Sequence, residues 1–246
     1  MAPVIRCDVE VAGSYLLARL TGDLALVTTA TVRAGLLQCL AEQPDGLLVD
    51  LSEMLVREAT ALSVFGTVAR QAALWPGTPV LLCAPDPGTA RLLAGGAFGR
   101  LAVFGSTREA VAAEPGRRLP SAGELLLPLA GSASRARDVV TEALTRWELP
   151  NLVAPVSIVA TELVANAVLH ARTMMDLRIS RCPSQVMLSV CDGSTVGPRL
   201  CRPSPESAAG RGLMLVDATA RRWGSLPTDG GKVVWAVFHT DARSPY

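Results

Sequence analysis

Three polar side chains recur at four-residue intervals in one apolar segment, namely Glu162, Asn166 and His170. The apolar residues around them have helical spacing, which predicts a helix that presents all three side chains from one face. A carboxylate and an amide in a largely apolar helix cost free energy unless a partner satisfies them. A bound metal–phosphate ligand would be such a partner, and a helix with one solvated stripe is the alternative that these residues alone leave open.

A second group of polar residues, Asp192-Gly193-Ser194, follows an apolar segment that is predicted to be a strand. A carboxylate at the end of a strand is well placed to accept a hydrogen bond from a ligand amine. Asp-Gly is also an ordinary turn signal, so this group on its own is compatible with a simple turn.

A third group opens a predicted helix near Gly210 and has the sequence Gly210-Arg211-Gly212-Leu213. Glycines allow the backbone to approach a ligand closely, and the free N–H groups and positive dipole end of a helix favour phosphate. The residues before it, 197–210, are rich in Gly, Pro, Ser and Ala. A loop of that length inside a compact domain is usually a lid, a binding loop or disordered, and the two glycines alone are also compatible with chance or simple helix capping.

These groups lie in the second of two predicted domains. A polar stretch with two prolines and two glycines, residues 114–123, is the best candidate for a linker between residues 1–113 and 124–246. The first half alternates strands and helices from a strand at Tyr15–Leu20, ended by Thr21-Gly22-Asp23, which predicts an α/β domain. The second half begins with a strand at Glu124–Leu129 and predicts an α+β sandwich with helices on one face of a mixed sheet.

Composition excludes several classes of protein. The chain has 246 residues, 50% of them apolar, and a net charge of +1, which argues against binding to nucleic acid. The six cysteines form no CxxC pair and there are two histidines, so a zinc site is not expected. The N-terminus lacks the pattern of a secretory signal, and no apolar run has the length of a membrane helix. We therefore expect a cytoplasmic protein without membrane contacts.

The three groups, taken in this order, resemble the GHKL family of ATP-binding domains, which includes gyrase and the histidine kinases, and within it the anti-sigma factor serine kinases. The resemblance runs from about Glu124 to Thr240 and extends to Trp223-Gly224 and Gly230-Gly231-Lys232. It implies that the domain binds ATP and Mg²⁺.

The resemblance also implies a role for each matching residue. Asn166 would be a Mg²⁺ ligand, and Glu162 would act as the base that orients or deprotonates the attacking hydroxyl. Asp192 would accept from the adenine amino group beside Gly193. The backbone of the Gly210-Arg211-Gly212-Leu213 segment would hold the phosphates as the lid closes. His170 would only complete its helix.

Two positions depart from the family pattern. Ser194 stands where a glycine is usual, and Val233 stands where a hydroxyl residue often precedes the valine of the last strand. These departures leave open a protein that uses nucleotide only to set the conformation of its lid.

The first half resembles a STAS domain, the fold of the anti-sigma factor antagonists. The resemblance is carried by Leu20-Thr21-Gly22-Asp23-Leu24 and by Leu48-Val49-Asp50-Leu51-Ser52. In that family a serine at the start of a helix accepts phosphate. Ala59 occupies the matching position here and has no hydroxyl group, and the neighbouring Thr60 is the alternative acceptor. The family resemblance therefore implies a degenerate partner module.

Together the two resemblances predict a serine/threonine protein kinase of the anti-sigma type that regulates sigma-factor partner switching. It would act in trans on a STAS protein or bind a sigma factor, and it could form a homodimer, as its relatives often do. The alternative is the non-catalytic adaptor in the same pathway. A sensor histidine kinase fits poorly because the only histidine before the adenine loop, His170, lies inside the ATP-site helix.

Overall fold

A five-stranded sheet forms the centre of each of the two units into which the chain divides, Met1–Arg118 and Leu119–Tyr246. The structure is a computed structural model, and it describes residues 2–74, 78–95, 101–113, 120–182, 184–198, 211–228 and 230–240.

The first unit confirms the predicted α/β class. Its sheet has the order β1-β2-β3-β4-β5, with the first pair antiparallel and the remaining pairs parallel. The elements in chain order are β1 (Ile5–Ala12), β2 (Tyr15–Leu24), α1 (Thr29–Ala41), β3 (Gly46–Val56), α2 (Ser63–Leu74), β4 (Val80–Cys83), α3 (Pro87–Ala94), β5 (Ala102–Phe104) and α4 (Thr107–Ala113).

Two features of the first unit differ from the prediction. Strand β1 was not predicted, and it forms a hairpin with β2 in which Ala12 pairs with Tyr15. The predicted end of β2 at Thr21-Gly22-Asp23 was wrong, because the strand continues to Leu24 after a shift in its register with β3. Gly22 makes this possible, since its φ of 114° is one that other residues rarely adopt.

The second unit is the predicted α+β sandwich, with the sheet order β6-β7-β8-β10-β9. The sequence predicted a mixed sheet, whereas every strand pairing in this sheet is antiparallel. The elements are β6 (Ser121–Leu126), α5 (Ser132–Arg146), α6 (Pro150–Asn166) with a π turn (Ala167–Ala171), β7 (Met175–Arg181), β8 (Gln185–Asp192), α7 (Arg211–Thr219), β9 (Arg222–Thr228) and β10 (Gly231–His239).

Strand β6 begins earlier than expected. Ser121, Ala122 and Gly123 were assigned to the linker, but they pair with Ser180, Ile179 and Arg178 of β7. Gly123 suits this close pairing because a β-carbon there would lie only 2.6 Å from the carbonyl oxygen of Leu177. Of the other predicted linker residues, 114–119 lie outside the described part of the chain. Pro120 is described, and its carbonyl oxygen accepts from the N–H of Arg181.

The core of the second unit lies between its sheet and helices. Alternate residues of β7, β8 and β10 pack against α5, α6 and α7, among them Leu177, Leu188 and Ala236, which are fully buried. By length and composition alone, Pro150–Ala171 could also cross a membrane. Val156, Val159 and Val164 of this helix are buried in the core of the second unit, so its apolar residues contribute to the packing of that core.

Candidate functional site

Helix α6 places Glu162 and Asn166 one turn apart, and both side chains are half-buried. The helix starts with Pro150 at its first turn, where a missing N–H is tolerated, and its apolar residues bury one side in the core. Immediately after Asn166 it widens into the π turn, in which the N–H of Arg172 donates to the carbonyl oxygen of Ala167 at 3.0 Å. Such π turns within α-helices are frequent at functional sites.

His170 does not join the other two polar residues. It lies in the π turn and is exposed. The geometry therefore separates the predicted stripe into a half-buried pair and one residue on the surface.

Helix α7 brings a third predicted residue to the pair. A β-carbon built on Gly212 would overlap the Oε2 atom of Glu162 and would lie 3.7 Å from the Nδ2 atom of Asn166. Only a glycine fits at this position with Glu162 in its present conformation. The N-terminal turn of α7 thus lies directly beside the carboxylate and the amide.

The backbone at this helix end has the chemistry of an anion site. Arg211, Gly212 and Leu213 are the first three residues of α7, and the first N–H groups of a helix lack intrahelical acceptors. The Leu213 side chain is buried in the core, so only its backbone is available for a ligand. Gly210, most of the predicted lid and the Arg211 side chain lie outside what the structure describes.

The end of β8 is tied to the end of α6. The backbone N–H of Gly193 donates to the Thr173 hydroxyl oxygen at 2.8 Å, and Thr173 lies just beyond the π turn. A β-carbon on Gly193 would approach the Cγ2 atom of Thr173 to 2.9 Å, so this contact also requires glycine. Asp192 and Gly193 are thereby held at the same end of the unit as Asn166.

Asp192 is buried and forms an ion pair that the sequence analysis missed. Its Oδ1 atom lies 2.8 Å from the Nζ atom of Lys232 and accepts from the N–H of Ser194, also at 2.8 Å. Lys232 is the only lysine in the chain, and the register of β10 and β8 places it directly opposite Asp192. The presence of a single lysine in the chain was the one signal in the sequence for this pair.

The donor set suits Mg²⁺ bound together with phosphate. No group of three or more His, Cys, Asp or Glu side chains in the described part of the chain could hold a metal by itself. Mg²⁺ instead keeps several waters and takes one or two protein oxygens plus those of the substrate's phosphates. The Asn166 side-chain amide lies beside the first turn of α7, and its oxygen would be the protein ligand in that pattern.

The first unit places the matching phosphoacceptor position at the start of a 3₁₀ turn, Ala59–Leu62, that leads into α2. Helix α2 itself begins at Ser63. Ala59 and Thr60 are exposed. The loop before them is anchored, because Arg57 Nε donates to Asp23 Oδ1 at 2.8 Å and Glu58 Oε1 accepts from the N–H of Leu26 at 3.2 Å.

Solved structures similar to the first unit are anti-sigma factor antagonists and related proteins. One from Mycobacterium paratuberculosis is 19% identical, with a TM-score of 0.40, over 45% of this chain and 93% of its own. The phosphorylated form of the Bacillus cell fate determinant SpoIIAA is 14% identical, with a TM-score of 0.36, over 44% of this chain and 98% of its own. A variant of RsbS from Moorella thermoacetica is 20% identical, with a TM-score of 0.38, over 44% of this chain and 93% of its own.

The second unit matches a family described as the histidine kinase-like ATPase domain, over residues 128–238. No curated protein matches the chain significantly. The matched range contains Glu162, Asn166, Asp192 and Gly212, the residues that the fold gathers at one end of the unit. The chain therefore carries a histidine kinase-like ATPase domain in its second half.

Proposed function

We propose that the second unit binds Mg-ATP and transfers the γ-phosphoryl group to a hydroxyl residue of a separate STAS protein. The observation that carries this proposal is the contact of Gly212 with the half-buried pair Glu162 and Asn166. It puts a carboxylate, a side-chain amide and the first N–H groups of a helix close together. Phosphoryl transfer needs mainly positioning and charge stabilisation, which such a set supplies.

Each residue has a distinct task in this proposal. Glu162 would accept the proton of the attacking hydroxyl group while the hydroxyl oxygen forms a bond to the γ-phosphorus. The bond between the γ-phosphorus and the oxygen that bridges it to the β-phosphate would break at the same time, which releases ADP. Asn166 would hold the magnesium ion, which neutralises charge on the phosphates when bound. The N–H groups of Arg211, Gly212 and Leu213 would bind phosphate oxygens. Asp192 would accept from the amino group of the base, beside Gly193.

The acceptor lies on another chain in this proposal because Ala59 has no hydroxyl group. The first unit, with its anchored but unreactive loop, would then bind regulators or partners and would not be a substrate. We propose that the partners are a STAS-type antagonist, a sigma factor or both, that the protein works in the cytoplasm, and that it could do so as a homodimer.

The test is transfer of labelled phosphate from Mg-ATP to STAS proteins that carry an acceptor serine. We expect Glu162→Gln to abolish labelling while nucleotide binding persists. Glu142→Gln is the matched control, because Glu142 is an exposed helical glutamate that forms an ion pair with Arg146. A wild-type protein that binds ATP and labels no STAS partner would refute the kinase.

A non-catalytic adaptor is the second candidate, favoured by two departures from the family pattern. Ser194 stands where a glycine is usual, and Val233 stands where a hydroxyl residue is frequent. Partner binding measured with and without ATP separates the two candidates. An adaptor would keep nucleotide-dependent partner binding after Glu162→Ala and lose it after Asn166→Asp, whereas a kinase would lose partner phosphorylation after either change.

A further inference from the structure

The ion pair between Lys232 and Asp192 is not accounted for by the proposed function. That function requires only that Asp192 accept a hydrogen bond from the base. The pair is nevertheless deeply buried, with the side chains of Lys232 and Asp192 only 9% and 3% exposed. A buried ion pair seldom adds net stability, because desolvation of both charges offsets their attraction. A role in recognition would explain the pair better.

The surroundings of the pair are apolar and specific. Lys232 and Asp192 alternate in the same phase as Val234 and Val190, which belong to the core under the helices, so both side chains lie on that face of the sheet. On the other side Asp192 pairs with Met175 of β7, which is fully buried. The carboxylate therefore lies between a lysine and an apolar side chain, and Lys232 supplies its counter-charge.

The hydrogen bonds that the structure describes for the Asp192 carboxylate are made to its Oδ1 atom. Oδ1 accepts from Lys232 Nζ and from the N–H of Ser194, each at 2.8 Å. The same ammonium also donates to the carbonyl oxygen of Ser194 at 3.3 Å, which fastens the turn after β8 to the carboxylate. Among the residues that the structure describes, the two donors to the Asp192 carboxylate both bind Oδ1, so Oδ2 is the oxygen that would accept from a ligand.

We propose that Lys232 is a positioning residue that makes Asp192 selective for nucleotides with an amino group on the purine ring. The Lys232 ammonium and the N–H of Ser194 both donate to Oδ1, and a carboxylate oxygen accepts hydrogen bonds from donors. By holding Oδ1, it directs Oδ2 to an amino donor and disfavours a carbonyl at the same place. This inference rests on nucleotide binding by the second unit and adds the means of base selection.

Removal of the ammonium has a specific consequence. Lys232→Met removes one of the two donors that hold Oδ1, so the carboxylate can turn away from the position that receives the amino group. Lys232→Met should therefore lose discrimination between amino and oxo purines, and not merely affinity. Lys232→Arg keeps the charge and should retain most of the discrimination.

The experiment is calorimetric titration of the full chain with Mg-ATP and with Mg-ITP, whose purine has an oxo group in place of the amino group. We expect the wild type to favour ATP by about tenfold or more, the usual worth of a hydrogen bond to a charged group. In Lys232→Met this ratio should fall toward one. Arg222→Met is the control, because it removes an exposed cation from the neighbouring strand β9.

A second set of variants shows whether Lys232 acts through Asp192. In an Asp192→Asn background, the further change Lys232→Met should leave the ATP-to-ITP ratio unaltered. Equal weakening of ATP and ITP by Lys232→Met, or an unchanged ratio, would overturn the proposal. Circular dichroism checks folding, and Lys232→Gln replaces Lys232→Met under the same criteria if that variant unfolds. Failure of the wild type to bind any nucleotide would instead refute the proposed function.

Discussion

Gly212 of α7 lies so close to Glu162 of α6 that a β-carbon on residue 212 would overlap the glutamate carboxylate. The two residues are fifty positions apart in sequence, and their contact joins the predicted base to the predicted phosphate-binding turn. A side chain at residue 212 would therefore require the Glu162 carboxylate to move from its present position.

Gly212→Ala should weaken Mg-ATP binding or phosphate transfer without lowering the thermal stability of the protein. The added methyl group must displace the Glu162 side chain, so we expect a loss of at least about tenfold in affinity for Mg-ATP or in phosphate transfer. Alanine is favoured over glycine in helices by about 1 kcal/mol, so the thermal stability of the protein should not fall. Calorimetry and thermal unfolding of the same samples measure the two effects.

The control for this change is Gly66→Ala in α2. A β-carbon on Gly66 would meet only the Nη1 atom of Arg70, at an ordinary 3.5 Å. We expect nucleotide affinity to stay the same in that variant. Wild-type affinity in Gly212→Ala would mean that the contact with Glu162 does not matter for the site.

Asn166→Ala should remove the dependence of nucleotide binding on magnesium. The change deletes the amide oxygen that would ligate the ion, while alanine preserves the helix. We expect ATP to bind the wild type more tightly with Mg²⁺ than with EDTA, and the variant to bind equally in both. Asn151→Ala, at an exposed position of the same helix, should behave as the wild type. A magnesium effect that persists in Asn166→Ala would assign the ion to other ligands.

Burial should protect three cysteines from alkylation. Desolvation raises the pKa of the Cys39 and Cys83 thiols to about 12 and that of Cys182 to about 11. These thiols are therefore protonated in the folded protein at pH 8, and only the thiolate reacts quickly. Mass spectrometry after a short treatment with iodoacetamide should find all three unmodified, and treatment in denaturant should modify them. Equal labelling of Cys39 in folded and unfolded protein would contradict this expectation.

Local sequence patterns were sufficient for most of the elements. The predicted α/β class of the first unit and α+β class of the second are the observed ones, because helical spacing and uninterrupted apolar runs are local signals. Two of the four edge strands, β1 and β6, show where such signals fail. Strand β1 has many exposed residues, and the first residues of β6 have the composition of a linker. Both strands are defined by pairing with a partner, which local composition does not record.

The candidate site likewise combines a part that local spacing predicts with contacts between residues that are distant in sequence. Spacing along one helix was sufficient to predict that Glu162 and Asn166 lie together. The contacts of Asp192 with Lys232, forty residues later, and of Gly193 with Thr173, twenty residues earlier, depend on strand register and on where α6 ends. Those distances in sequence explain why neither Lys232 nor Thr173 was assigned to the site.

Ala59→Ser should create a phosphoacceptor in the first unit. Ala59 is exposed at the start of a 3₁₀ turn, and the preceding loop is held by the bond from Arg57 to Asp23. If the second unit is a kinase for STAS hydroxyls, the variant should incorporate labelled phosphate from Mg-ATP and the wild type should not. Ala112→Ser, another exposed helical alanine, is the control and should stay unlabelled. Should a separate STAS protein be phosphorylated while Ala59→Ser is not, the assignment of Ala59 as the acceptor position would be wrong.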